Sequence, residues 1–343
     1  MQFPKDLLTN NANNIKFCVI GNGSWATALI KLLLSKLDNI GWYIRSTETI
    51  DYIKRYNHNP RYLTSTTFDI QKLYMSTDLN EVIEHANVII LATPSAFLTD
   101  TLQILKATDL SDKFIVSAIK GIIPNTNETI SEYFYRHYKV PYSQIGVISG
   151  PCHAEEVAME RLSYLTFSCK RRQLAEVISR YFENDYLRVV ASTDIYGVEY
   201  AAVLKNIYAI AAGICHGLGY GDNFMAVLVS NAFEEMKRFL NSTYFSLTRT
   251  TTKSAYLGDL LVTCYSQFSR NRTFGTMLGK GYSVNAIQAE MNMVAEGYYA
   301  SKCMFEINKK YSINMPIADT VYRIIYKNTP IKDEIKKLTE KLV

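Results

Sequence analysis

Glycine (16 residues), proline (8) and tryptophan (2) are scarce in this 343-residue sequence. So few glycines and prolines exclude collagen-like and proline-rich architectures. The six cysteines, Cys18, Cys152, Cys169, Cys215, Cys264 and Cys303, include no CxxC pair, so zinc-site and thioredoxin-type readings lack their spacing signal and no metal site is expected. A chain of this length does not need disulfide staples, and several of these cysteines stand in apolar runs. Reduced thiols and a cytoplasmic setting are the expectation. No long hydrophobic run occurs: the longest, Ile207 to Cys215, is far too short to cross a bilayer, so membrane insertion is not expected. Residues 1–14 are Asn-rich and lack a basic-then-apolar pattern, which reads as a loose arm and not as a signal peptide.

What is present is globular composition, 48% apolar and 20% charged, and length suggests about two domains. The net charge of +5 is mild; it suits a small anionic ligand and is too weak to argue for nucleic acid. The densest basic cluster, Lys170-Arg171-Arg172, reads as a solvated helix start. The 25 tyrosines are scattered and form no evident stacking platform.

The first half alternates strand-like and helix-like segments. Lys16 to Ile20, Trp42 to Ile44, Asn87 to Ala92, Phe114 to Ile119 and Ile145 to Ile148 read as strands, with Leu165 to Phe167 and Leu187 to Ala191 as further candidates. Helical patterns cover Ala26 to Leu37, Thr126 to His137 and Arg171 to Phe182. Such alternation predicts a parallel sheet with helices on both faces. After Ser192 the character changes to helices with few strand runs. Tyr196 to Gly213 is apolar on nearly every face, the mark of a buried helix, and Phe224 to Leu240 and Ile331 to Val343 are also helical. The expected division is a loose arm (1–14), a dinucleotide-binding domain (15–193) and a helical substrate domain (194–343).

Gly21-Asn22-Gly23-Ser24-Trp25-Ala26 follows the first strand and opens a helix. This is GxGxxA, the alanine variant of the dinucleotide fingerprint. Gly21 permits the tight turn, Gly23 lets backbone approach a pyrophosphate, and Ala26 is small enough for close helix–strand packing. The helix N-terminus supplies N–H groups and positive dipole to phosphates. Ribose specificity is read about 20 residues later, at the end of the second strand. There Arg45 and Ser46 stand without a carboxylate at the strand end, which leans toward NADPH over NADH, although Arg45 also reads as an exposed loop cation.

A nicotinamide cofactor implies hydride transfer, for which the protein supplies binding, orientation and proton handling. Lys205 is a single cation in an apolar helix; it is either a snorkelling lysine at a helix edge or a desolvated amine with a lowered pKa suited to acid–base work. Lys120 follows a strand at the end where such sheets bind ligands, or is an ordinary loop lysine. Asp259, beside Gly258 and ahead of an apolar run, reads as a helix N-cap or as partner of a buried lysine. Arg270 and Asn271, in Ser269 to Arg272, suit a phosphate or form a surface turn.

With these residues in view, the sequence resembles the soluble-type NAD(P)-dependent glycerol-3-phosphate dehydrogenase family. The resemblance rests on GNGSWA (21–26), ATPS (92–95), SAIKG (117–121), SGPCHAEEVA (149–158), VLKNIYAIAAGICHGLGYGDN (203–223), LGDLLVTCYSQFSRNRTFG (257–275) and VAEG (294–297), in family order. It implies an α/β Rossmann-type N-terminal domain and an all-α C-terminal domain of the 6-phosphogluconate-dehydrogenase-like kind. The substrate pair it implies is dihydroxyacetone phosphate and sn-glycerol 3-phosphate, with a homodimer as the assembly. By the same resemblance Lys205 is the proton donor and acceptor, Lys120 contacts substrate and cofactor, and Asp259 and Thr263 are substrate-site positions. Ser269, Arg270 and Asn271 match the phosphate end, with Arg270 also reaching cofactor. Gly150, Cys152 and Ala154 match the substrate and cofactor loop, while Gly21, Gly23, Ser24, Trp25, Arg45, Val294 and Glu296 match cofactor positions.

Three positions depart from the family pattern: Cys152 where Ser or Thr is more usual, His153 where Phe is common, and Ala92 where Val is more usual. A thiol is a weaker donor than a hydroxyl. Two rival readings share the architecture: a β-hydroxyacid dehydrogenase, and a dinucleotide-sensing protein without turnover. The Ser269-Arg270-Asn271 segment favours a phosphate substrate over the first. The co-occurrence of Lys120, Lys205 and Asp259 argues against the second, because sensing needs no proton relay.

Overall fold

A computed structural model describes residues 15–291 and 294–343. The loose arm expected at 1–14 lies outside the described residues. The described residues divide into two compact units, one of residues 15–93, 97–119 and 130–195, the other of 94–96, 120–129 and the described part of 196–343.

Among the described residues the first unit is built on eight strands: β1 (Phe17–Ile20), β2 (Ile40–Tyr43), β3 (Leu73–Ser76), β4 (Val88–Leu91), β5 (Phe114–Ser117), β6 (Ile145–Ser149), β7 (Ser163–Cys169) and β8 (Leu187–Ser192). They form one sheet in the order β3-β2-β1-β4-β5-β6-β7-β8. Helices α1 (Ser24–Leu34), α2 (Thr47–Tyr56), α3 (Leu79–Glu84), α4 (Leu98–Leu102), α5 (Ile130–His137), α6 (Ala154–Ala158) and α7 (Arg172–Ser179) accompany it. The central strands FCVI, VIIL and FIVS are buried at every residue, because a parallel sheet covered on both faces leaves no polar side. The strand order reverses at β1, between β2 and β4, which is where open α/β sheets bind ligands at the carboxyl ends of their strands.

Three details differ from the sequence expectation. β6 and β7 pair antiparallel, while every other pairing in the sheet is parallel. The connection from β6 to β7 holds only the short helix α6, so the chain turns back beside β6 without a full crossover. β3 carries no expectation at all. It is a short edge strand with one buried residue, Met75, and has no apolar alternation to mark it. Helix α5 begins at Ile130 rather than at Thr126, because Ile123 and Glu128 form an antiparallel bridge and Asn127 takes φ +56°. Lys170, Arg171 and Arg172 are exposed at the start of α7, as expected.

The second unit is helical: α8 (Ile195–Gly217), α9 (Asp222–Thr243), α10 (Asp259–Tyr265), α11 (Arg270–Gly279), α12 (Val284–Glu290), α13 (Glu296–Tyr311), α14 (Pro316–Tyr326) and α15 (Ile331–Thr339). The apolar run at 207–215, expected to be too short to cross a bilayer, is part of a longer helix: among the described residues α8 alone is long and apolar enough to cross a membrane by length and composition, and its apolar window is wholly buried inside the protein. It meets α11 backbone to backbone. A Cβ on Gly213 would run into the Arg272 carbonyl, on Gly217 into the Thr276 carbonyl, on Gly275 into the Ile210 carbonyl, and on Gly279 into the Ile214 carbonyl. Two glycines four residues apart on each helix let the axes approach this closely.

Candidate functional site

The glycine turn lies in the first unit. Gly21 takes φ +117°, and a Cβ there would meet the Ala92 carbonyl oxygen at 2.7 Å, so this position requires glycine. Gly23 is the N-cap of α1, and no side chain caps the helix. A Cβ on Gly23 would have nothing within 4 Å. A tight turn, an uncapped helix N-terminus and open space beside Gly23 are the features a dinucleotide pyrophosphate requires, so these residues fit that group. Ser24 is buried and Trp25 half-buried on the first turn of α1. Arg45 is exposed after β2. The Ser46 hydroxyl caps α2 by accepting from Thr49 N, and it donates to Glu48.

The loop after β6 is shaped in a similar way. Gly150 takes φ +117°, where a Cβ would meet the Tyr164 carbonyl at 2.8 Å. The Cys152 thiol donates to the same carbonyl at 3.0 Å, so it faces inward. Ala154 opens α6 and is buried.

In the second unit Asp259 stands at the start of α10, directly after a five-residue π-helical turn, Ser254–Gly258. Its carboxylate is 1% exposed. Lys205 Nζ, from α8 and 4% exposed, donates to Oδ1 at 2.5 Å. Lys120 Nζ donates to Oδ2 at 3.1 Å. Thr263, one turn along α10, accepts from Lys205 Nζ at 2.9 Å and donates to the Asp259 carbonyl at 2.5 Å. Asp259 is therefore the partner of a buried lysine. Gly258 occupies the N-cap position, and no side chain caps α10. Burial draws the Lys205 pKa down to about 7, with Lys120 adding to the effect and Asp259 opposing it. Burial by itself would raise the Asp259 carboxyl, but the two ammonium groups hold it below its ordinary value. Two cations on one carboxylate leave a net positive charge, a suitable environment for an anionic substrate and for negative charge developing on an oxygen.

A chain of amides runs through the same unit. Asn206 Nδ2 donates to the Lys120 carbonyl at 2.6 Å, Asn271 Nδ2 donates to Asn206 Oδ1 at 2.9 Å, and Gly297 N donates to Asn271 Oδ1 at 2.9 Å. The last link requires Gly297, whose Cβ would run into the Asn206 carbonyl at 2.5 Å. Glu296, the first residue of α13, accepts from Ser95 N at 2.9 Å and from Ser95 Oγ. Burial raises its pKa, against the Ser95 bonds and nearby Arg270. Ser269 is the N-cap of α11 and accepts from Arg272 N, so its hydroxyl is engaged locally. Arg270 is half-buried at the first position of α11, and Val294 is half-buried ahead of α13.

The structure thus brings Lys120, Lys205, Asp259 and Thr263 into one hydrogen-bonded cluster. Asn271 joins it through the amide chain, and Glu296 stands beside Gly297 at the end of that chain. Gly21, Gly23, Ser24 and Trp25 are gathered at the turn after β1, and Gly150, Cys152 and Ala154 along the loop after β6. Two members of these networks, Asn206 and Ser95, lie within the family-like segments and are not among the site residues expected from the sequence. Asn206 follows Lys205 directly, and a buried amide next to a buried amine was the available signal. Among the described residues no group of three or more His, Cys, Asp or Glu side chains gathers to hold a metal ion.

Comparison with known proteins covers nearly the whole chain. Residues 16–175 match the NAD-dependent glycerol-3-phosphate dehydrogenase N-terminus family, and residues 194–336 match the corresponding C-terminus family. A glycerol-3-phosphate dehydrogenase (NAD(P)+) of Chlorobium phaeobacteroides is 35% identical over 325 residues, 94% of this chain and 97% of the relative. One of Staphylococcus aureus is 33% identical over 327 residues, covering 95% and 98%. Among solved structures, the glycerol-3-phosphate dehydrogenase of Coxiella burnetii superposes with a TM-score of 0.87 at 28% identity, covering 96% of this chain and 99% of that one. On matches to both halves in sequence order, and on identity above 30% along nearly its full length, this chain belongs to the NAD-dependent glycerol-3-phosphate dehydrogenase family.

Proposed function

We propose that the protein catalyses the reversible reduction of dihydroxyacetone phosphate to sn-glycerol 3-phosphate, with NADPH favoured over NADH. The observation that carries this reading is the buried Lys205–Asp259–Lys120 cluster. Gly21, Gly23, Ser24 and Trp25 would hold the dinucleotide, which would supply hydride exchange at C2. The remaining chemistry falls to this chain. The Lys205 ammonium donates a proton to the C2 oxygen during reduction, and the neutral amine accepts the hydroxyl proton in the reverse direction. The Lys120 ammonium adds positive charge where negative charge develops. Asp259 fixes both amines, and Thr263 fixes Lys205 from a second direction. Arg270 and the N-terminus of α11 provide donors and positive charge suited to the substrate phosphate. Asn271, its amide shared with Asn206 and Gly297, holds this region in register.

Of the cofactor positions, Arg45 is the one whose exposed guanidinium suits a 2′-phosphate, which is the basis for favouring NADPH. In the same reading the protein is a cytoplasmic homodimer, and its product supplies the glycerophospholipid backbone. The test is the absorbance of NADPH, and separately of NADH, on adding dihydroxyacetone phosphate. Substrate-dependent oxidation with faster turnover of NADPH supports the proposal. Cofactor binding without oxidation, or oxidation only with 3-oxo acids, overturns it. Sedimentation analysis tests the dimer.

A further inference from the structure

The first two carbonyls of the glycine turn, those of Gly21 and Asn22, are held from outside it. Trp42 Nε1, on β2, donates to the Gly21 carbonyl at 2.7 Å. Asn59 Nδ2 donates to the Asn22 carbonyl at 3.0 Å. Trp42 and Asn59 are each 0% exposed. A trans peptide is planar, with its C=O and the following N–H pointing in opposite directions. Fixing the Gly21 carbonyl therefore fixes the N–H of Asn22, and fixing the Asn22 carbonyl fixes the N–H of Gly23.

Neither side chain has capacity left for a ligand. Asn59 also donates to Thr27 Oγ1 at 3.0 Å, and its Oδ1 accepts from Arg61 N at 3.0 Å and Tyr62 N at 3.1 Å. Both of its donors and both acceptor positions are used. The single donor of Trp42 is spent on Gly21, and its ring is wedged edge-on to Phe68 at 5.6 Å. Asn59 thereby ties three pieces together: the turn, helix α1 through Thr27, and the segment 59–62.

We propose that Trp42 and Asn59 are positioning residues that preset the N–H groups of the glycine turn for a dinucleotide pyrophosphate. The inference rests on the reading of that turn as the dinucleotide site. A turn whose peptides are already oriented gives up less conformational freedom on binding. A turn released from either anchor can rotate the corresponding peptide, so that a carbonyl instead of an N–H faces the phosphate.

The test compares the full-length protein with Asn59→Asp, which keeps size and shape but replaces the donor facing Asn22 by an acceptor, and with Trp42→Phe, which keeps an aromatic ring but removes the N–H. Calorimetry with NADPH and NADH gives the affinities, and competition separates ADP-ribose, which contains the pyrophosphate, from adenosine, which does not. Each variant is expected to weaken the dinucleotides and ADP-ribose about tenfold, the scale of one buried hydrogen bond, and to leave adenosine unchanged. Unchanged ADP-ribose affinity in a folded variant overturns the proposal, as does equal weakening of ADP-ribose and adenosine. Should the variants not fold, the wild-type protein carries the test. Its two tryptophans give two 15N-indole signals. Slow exchange of the Trp42 indole proton in the unliganded protein supports the proposal, and rapid exchange overturns it. Failure of the wild-type protein to bind either dinucleotide is a different result, which removes the reading of the turn itself.

Discussion

Lys205 and Asp259 form a buried ion pair, Nζ to Oδ1 at 2.5 Å, on which a second ammonium converges. Lys120 draws on the second oxygen of the same carboxylate at 3.1 Å. Replacing Lys205 by alanine removes the proton donor proposed above and leaves Asp259 with Lys120. The expected result is a loss of roughly 10²-fold or more in kcat, with dinucleotide affinity little changed. Steady-state kinetics with dihydroxyacetone phosphate measure the first and calorimetry the second. Wild-type turnover by Lys205→Ala would show that the amine is not the acid–base group.

The same burial sets the pH dependence. With its pKa drawn down to about 7, Lys205 is mostly protonated below that value and mostly neutral above it. In the proposed reaction reduction uses the ammonium, so kcat for reduction is expected to fall as pH rises through about 7. Oxidation needs the amine, so kcat for oxidation rises over the same range. Asp259→Asn removes the anion that stabilises the ammonium and is expected to move both limbs to lower pH. Profiles of kcat in the two directions check this; a flat reduction profile between pH 6 and 9 contradicts it.

Glu235, on α9, governs stability instead of chemistry. Its carboxyl accepts from Ile317 N at 2.8 Å and Ala318 N at 3.0 Å, in the first turn of α14, and it is 1% exposed. Burial pushes its pKa up to about 8, opposed by the two backbone donors and assisted by Asp319. Above the ordinary glutamate range and below about 8, the folded protein holds a proton that the unfolded chain has released. Stability therefore declines as pH rises across that interval. The melting temperature followed from pH 5 to pH 8 should show the decline, and Glu235→Gln should flatten it.

The crossing of α8 and α11 admits no side chain. Gly275→Ala would drive a methyl into the backbone at Ile210 and Ile214, and is expected to cost about 1–3 kcal/mol or more. It would also disturb the register between Lys205 on one helix and Asn271 on the other. Gly221→Ala, where nothing lies within 4 Å, is the control. A lowered melting temperature in the first and not in the second is the expected outcome.

Much of this was legible in the sequence, and the limits have physical causes. The central strands announce themselves because a sheet covered on both faces demands unbroken apolar runs, as in Val88–Leu91 and Phe114–Ser117. Edge strand Leu73–Ser76 has no such demand and no such signal. The glycine turn is readable because its spacing reflects local backbone geometry. Lys205 stood out as a cation in an apolar helix, but whether it was paired depended on Asp259, 54 residues later. The first two links of the amide chain, Asn206 to Lys120 and Asn271 to Asn206, span even greater separations. Hydrogen bonds between distant buried amides leave no periodicity to read, so Asn206 and Asn59 carry no sequence signal of the kind the lysines do.

The second compact unit includes residues 94–96 and 120–129, encoded ahead of most of the first unit's later strands. No single scission divides the polypeptide into two intact modules. A fragment beginning at Tyr196 would retain Lys205, Asp259 and Glu296 but forfeit Lys120 and Ser95. Gene fusion or module exchange that treats the helical half as a detachable cassette would therefore deliver it without one of its two ammonium groups, and a working graft has to carry both interleaved stretches along.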